Sequence, residues 1–296
     1  MTDREKVKAL MAENRVSDSH FKRNWAKLKR NKAALIGGLL ILLYVMSALL
    51  APVLYRGNPS APNLMKSLEL PSLENPLGTD ELGRSILGRI IYGSRISLLI
   101  AIGVVSVGFI IGIPLGLISG YYGGKIDFII QRITDTMLAF PGFLLALGLV
   151  AVLGVGLENT VISIGISMVP IYIRLVRGCV LSVSEEVYVE AAKAVGTSDA
   201  AILIRHILPN VMVPITVQTT LGMGMAILFA AGLGFLGIGV QPPTPEWGAM
   251  LGSARSYLFR APHVATFPGI AIFLSVLSFN LFGDGLRDAL DPRFKL

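Results

Sequence analysis

Read along the chain, apolar residues gather in six long blocks, at roughly 33–54, 96–119, 137–156, 160–180, 211–236 and 266–284, separated by shorter polar or charged stretches. Each block is about the 20 residues that a helix needs to cross the hydrocarbon core of a bilayer. The pattern therefore predicts an all-α, polytopic membrane protein with six transmembrane helices. Ahead of the first block, Phe21, Trp25 and Leu28 recur at i, i+4 and i+7 between lysines and arginines, as in a short helix lying on a lipid surface. The blocks divide the chain into a tail with this interfacial helix (1–32), a first span (33–54), an external loop (55–95), a core of five spans (96–290) carrying a cytoplasmic loop at 184–209, and a short end (291–296).

Composition agrees. Of 296 residues, 53% are hydrophobic and only 15% charged, against roughly a quarter charged in a soluble domain. The net charge of +7 would raise nucleic acid as a partner of a soluble protein; here it reports orientation, and the partner it implies is the lipid bilayer. With the N-terminus inside, 19 of the 26 Lys and Arg fall in inside segments and 7 outside. That bias follows the positive-inside rule and predicts both termini in the cytoplasm. Residues 1–32 hold ten cations and four acids, too highly charged for a signal-peptide n-region, and no small-residue cleavage site follows.

Inside the second block Gly108, Gly112, Gly116 and Gly120 form an i, i+4 ridge that lets another helix backbone approach closely. Pro114 and Pro170 are expected to bend their spans. A tight turn around Glu158 joins the third and fourth blocks. Trp247 and Tyr257 fit an interfacial helix within the Pro-rich segment 237–265.

Much chemistry is missing. A single cysteine, Cys179, excludes a disulfide framework and reads as an apolar filler; three scattered histidines supply no metal cluster. Gly124-Lys125 lacks both the upstream glycine and the following hydroxyl of a phosphate loop. No H-E-x-x-H, G-x-S-x-G or nucleophile–base pair occurs, so no catalytic residue, metal or cofactor is assigned. An ion-driven carrier, the rival of a different class, usually keeps a midplane carboxylate or broken helices, and neither stands out. Asp284, Arg287 and Asp288 read as groups capping the last helix.

The cytoplasmic loop is the richest segment. Val187, Ala191, Ala194 and Val195 make one apolar stripe, with Glu185, Glu186, Glu190 and Lys193 mainly opposite. Ser184 is placed to cap this helix and Gly196 to end it. Thr197, Ser198 or Asp199 then caps a second helix running into Ile207-Leu208-Pro209. The knob of helix, glycine turn and helix suits insertion into a partner's cleft.

Glu190-Ala191-Ala192, then Gly196, then Leu208-Pro209 resembles the E-A-A…G…I-x-L-P loop of bacterial ABC-importer permeases, with His206 where an Ile is usual. Asn75-Pro76-Leu77-Gly78-Thr79-Asp80 with Gly83-Arg84 is similar to the H-P-L-G-T-D-x-x-G-R-D segment of their dipeptide/oligopeptide/nickel branch, Asn75 and Ser85 departing from it. Gln241-Pro242-Pro243-Thr244-Pro245-Glu246-Trp247-Gly248-Ala249-Met250 and the stretch from Phe279 to Pro292 look like the C-terminal hallmark of its "C-type" subunit. The resemblance implies a type I ABC-importer permease taking up short peptides (dipeptides, oligopeptides or glutathione), with a nickel chelate as the alternative cargo. It implies a second, homologous permease, two cytoplasmic ATPases and an extracytoplasmic binding protein. On the same ground Val187, Tyr188, Glu190, Ala191, Ala192, Gly196, Leu208 and Pro209 would form the ATPase-coupling loop, and Thr79, Asp80 and Arg84 could meet the binding protein.

Overall fold

The computed structural model describes residues 25–290. Among these residues the structure is mostly helical, and β pairing is confined to one antiparallel bridge between Thr79 and Ser85. The principal helices are α1 (Lys32–Leu49), α2 (Ile86–Tyr122), α3 (Gly124–Leu138), α4 (Gly142–Leu153), α5 (Leu157–Ser184), α6 (Val187–Ala194), α7 (Asp199–Phe235), α8 (Trp247–Ala254) and α9 (His263–Leu290). Five of them (α1, α2, α5, α7 and α9) are long and apolar enough to cross a membrane, and the bent pair α3 and α4 makes a sixth crossing if counted as one span.

α5 sits at the centre, packed by α2, α3, α4 and α7, while α9 packs between α1 and α7. One core cluster joins α1, α2, α7, α8 and α9 through Tyr44, Ile86, Ile227, Trp247 and Phe279. A second joins α2, α4, α5 and α7 through Ile100, Val150, Ile164 and Leu233.

Several boundaries differ from the sequence expectation, each for a local reason. The second span begins at Ile86 rather than near 96, because Ser85 caps it and the charge of its first turn is hidden: Arg89 is buried 3.5 Å from the carboxylate of Asp80. The loop expected at 55–95 is correspondingly shorter. The third span is not a straight helix over 137–156. The polar stretch between the second and third apolar blocks instead forms most of α3, an amphipathic helix, and the chain turns by 89° before α4. Proline at 141 cannot continue a helix from the preceding turn. With 12 residues, α4 spans about 18 Å, short of a bilayer's roughly 30 Å core.

The turn between α4 and α5 lies at 154–156, where Gly154 and Gly156 take φ of +94° and +130°; Glu158 is already in the first turn of α5. Trp247, expected on an interfacial helix, is buried in the protein: its ring packs tilted at 45°, 5.5 Å from that of Tyr44, and its indole N–H donates to the Ile90 carbonyl at 3.1 Å. Of the expected amphipathic tail helix, Phe21 lies outside the described residues. Residues 25–30 are helical, and Leu28 packs on Ala34 and Ala289 rather than facing lipid. Asp288 accepts from the Asn31 side chain at 3.2 Å, tying the last helix to the start of α1.

Pro114 and Pro209 each follow a π-helical turn, at Gly108–Gly112 in α2 and Ile202–Ile207 in α7. Proline lacks the N–H and clashes with the carbonyl four residues back, and a widened turn relieves the clash.

Candidate functional site: the helix-turn-helix knob and its anchorage

α6 starts one residue after Glu186, whose extended backbone (φ −73°, ψ 139°) and carbonyl begin the helix by accepting from the Val189 and Glu190 amides at 2.9 and 3.2 Å. Ser184, expected as the cap, is instead the last residue of α5. Glu190 stands in the first turn and Lys193 in the last, where each complements the helix dipole. At the far end Gly196 has φ +77°. Its amide bonds the Lys193 carbonyl at 3.0 Å and the Thr197 amide reaches back to Ala192 at 3.1 Å, a Schellman stop that requires the left-handed residue. A Cβ on Gly196 would meet nothing within 4 Å, so the demand is conformational and not steric.

The two faces of α6 have different neighbours. Val189 and Ala192 are buried in a cluster with Val176 and Val180 of α5 and Ile202, Ile207, Val211 and Ile215 of α7. The opposite stripe is open: Val187 and Val195 are 78% and 80% exposed, and Ala191, Ala194, Glu190 and Tyr188 also face solvent. The Tyr188 hydroxyl is pushed above its ordinary pKa, first by burial and then by Glu186. Ser198 stands at the cap of the second helix, which opens at Asp199 as α7 and continues through the half-buried Leu208 and the exposed Pro209 into the span.

One contact escaped sequence reasoning. Tyr121, at the end of α2, donates its hydroxyl to Asp199 at 2.8 Å, and its ring lies 5.1 Å beneath the Lys193 ammonium. It thereby touches both arms of the knob. A tyrosine pair closing an apolar block signals only an interface from sequence.

The glycine ridge faces α5. A Cβ at Gly108, Gly112, Gly116 or Gly120 would lie 2.5–2.7 Å from Tyr172, Val176 or Val180. Helices α2 and α5 therefore meet backbone to side chain with no room for a methyl group.

Thr79, Asp80 and Arg84 do not present a contact surface. They are 1%, 3% and 6% exposed and knit the loop before α2 from within. Asp80 accepts from the Leu82 and Arg84 amides at 3.0 and 2.9 Å and pairs with the Arg84 guanidinium at 2.6 Å. Thr79 accepts from the Glu69 amide at 2.9 Å and donates to the Lys66 carbonyl. The sequence could not separate these roles, since a buried hub and a contact site use the same residue types. Glu246 caps α8 by accepting from the Gly248 and Ala249 amides at 2.8 and 2.7 Å, and burial pushes its carboxyl up to about 6. Among the described residues no group of three His, Cys, Asp or Glu is placed to hold a metal ion.

The comparisons with known proteins fit this layout. Residues 112–296 match the family described as binding-protein-dependent transport system inner membrane component. The chain belongs to this family. Residues 19–71 match the N-terminal transmembrane domain of oligopeptide transport permease C. The dipeptide transport system permease protein DppC of Alkalihalophilus pseudofirmus is 49% identical over 94% of this chain and 91% of its own length. The glutathione transport system permease protein GsiD of Pectobacterium atrosepticum is 48% identical over 92% and 90%. The methionine ABC transporter MetNI, solved in inward-facing conformations, shares the fold: TM-score 0.54, 18% identity, covering 69% of this chain and 97% of that one. The protein is thus a multi-pass inner-membrane permease of the ABC-transporter type, and not an enzyme.

Proposed function

We propose that this permease imports short peptides (dipeptides, oligopeptides or glutathione) as one half of a pair with a second, homologous permease. In this reading two cytoplasmic ATPases hold the knob, and an extracytoplasmic binding protein delivers substrate. The observation that carries it is the open stripe of Val187, Ala191, Ala194 and Val195, on a chain about half identical to dipeptide and glutathione permeases. A small, apolar, rigidly capped helix suits a cleft in a moving partner. The charge bias supports a cytoplasmic position for the knob and both termini.

The coupling follows from the packing. ATP draws the two ATPases together and moves α6. Because Val189 and Ala192 are keyed between α5 and α7, the push passes into both spans, and the glycine ridge makes α2 follow α5. The cavity shared with the second permease then opens outward, and inward again after hydrolysis.

The test is uptake into proteoliposomes holding both permeases and both ATPases, supplied with the binding protein. Labelled dipeptide should enter only with ATP and binding protein, and unlabelled peptide should compete. Uptake of a nickel chelate that peptide does not inhibit would replace the cargo. Transport by the lone chain on an ion gradient would overturn the class.

A further inference from the structure

α3 is set between two breaks. At its start Gly123 and Gly124 have φ of +61° and +55°, and a Cβ on either would meet nothing within 4 Å. These glycines serve backbone freedom and not close packing. At its end the chain bends by 89° into α4. Between the breaks α3 is attached to its neighbours by polar contacts. Asp127 receives both Nε and Nη2 of Arg177 at 2.6 Å, a bidentate pair, and the Ser119 hydroxyl at 2.5 Å. Gln131 donates to Ser119 at 2.9 Å, and Arg174 pairs with Asp135 at 2.6 Å. The opposite face, with Ile126, Ile129 and Ile133, is exposed and apolar.

We propose that α3 is a hinged arm, latched to α5 by Asp127–Arg177 and Asp135–Arg174, that swings away from α5 when the docking helix α6 moves. The inference rests on the importer reading. Three observations support it. The latch borders an open cleft of about 350 Å³ lined by Asp127, Phe128, Gln131, Arg132, Asp135 and Arg177. The Arg174 and Asp135 side chains are already 58% and 53% exposed, so parting that pair uncovers no buried charge. The hinge lies two residues beyond Tyr121, which holds Asp199 and Lys193 of the knob, so motion of the knob reaches the hinge directly. Finally, the other neighbours of α5 are joined to it by tight apolar packing, leaving α3 as the segment with a breakable seam.

The experiment uses the full complex of permeases and ATPases with a Cys179→Ser, Ile133→Cys, Leu181→Cys chain, spin-labelled on α3 and α5 at positions that are both exposed. A second chain labelled through Ile118→Cys and Leu181→Cys reports α2 against α5. Adding a non-hydrolysable ATP analogue should shift the α3–α5 distance by roughly one helical turn, about 5 Å, and leave the α2–α5 distance unchanged. Asp127→Asn should broaden the nucleotide-free α3–α5 distribution, and the swap of Asp127→Arg with Arg177→Asp should narrow it again and restore uptake lost by each single change. An α3–α5 distance indifferent to nucleotide, in a complex that hydrolyses ATP and takes up peptide, overturns the hinged arm alone. A complex with no ATP-driven uptake overturns the importer reading instead.

Discussion

At Gly112 a methyl group would sit 2.5 Å from the Tyr172 Cβ and 3.1 Å from the Val169 carbonyl oxygen, and neither can retreat without moving α5. Overpacking of this kind typically costs about 1–3 kcal/mol. Gly178, on α5, has open space where its Cβ would be, and alanine in a helix is favoured over glycine by roughly 1 kcal/mol. Gly112→Ala should therefore lower the thermal unfolding midpoint of the purified complex while Gly178→Ala leaves it equal or higher. Equal losses would mean that the ridge is not a packing seam. Glu246 gives a pH signature. Its carboxyl, ordinarily at 4.5, stands at about 6 in the fold because it is buried. A raised acid pKa means that folding favours the protonated form. Its contribution is fully present below the ordinary value and fades as pH rises through about 6, by roughly 2 kcal/mol in all. Glu246→Gln, which stays neutral, should flatten the thermal stability of the complex between pH 4.5 and 6.5; an unchanged pH profile would assign that slope to other groups.

At the scale of elements, the docking role proposed for α6 rests on its outward stripe and its glycine stop. Val187→Asp or Val195→Asp adds a charge to an exposed apolar surface and leaves the buried Val189 and Ala192 in place. Each variant should reach the membrane in normal amount and lose co-purifying ATPase. Gly196→Val forces a branched side chain into φ +77°, at a cost exceeding about 1–2 kcal/mol. It should abolish uptake with little effect on insertion, while Gly196→Asn, which tolerates that region, should be milder; normal uptake by Gly196→Val would remove the stop from the mechanism. α6 was legible in the sequence because its apolar period and glycine stop are local signals. α3 was not, since Asp127, Arg132 and Asp135 interrupt its apolar residues, and only Arg177 and Arg174 on α5 explain the two aspartates. The start of α2 was hidden likewise, because Arg89 reads as a loop residue until Asp80 is folded over it.

For the whole molecule, the apolar blocks located the spans because lipid demands long uninterrupted helices. The bends, the capped outer loop and the Tyr121 junction depend on contacts between segments far apart in the chain and left no periodic trace. The charge bias makes the arrangement testable: reporters fused after Pro62 or Pro243 should be external and one after Lys193 internal. The most direct measurement of the central claim is a cross-link from the knob itself. A Cys179→Ser, Val195→Cys chain, co-expressed with its partners, should be joined by a short thiol-to-amine reagent to an ATPase subunit, with a yield that changes on adding ATP. Labelling of the same cysteine by a membrane-impermeant reagent in sealed cells, with no cross-link to the ATPase, would contradict the account.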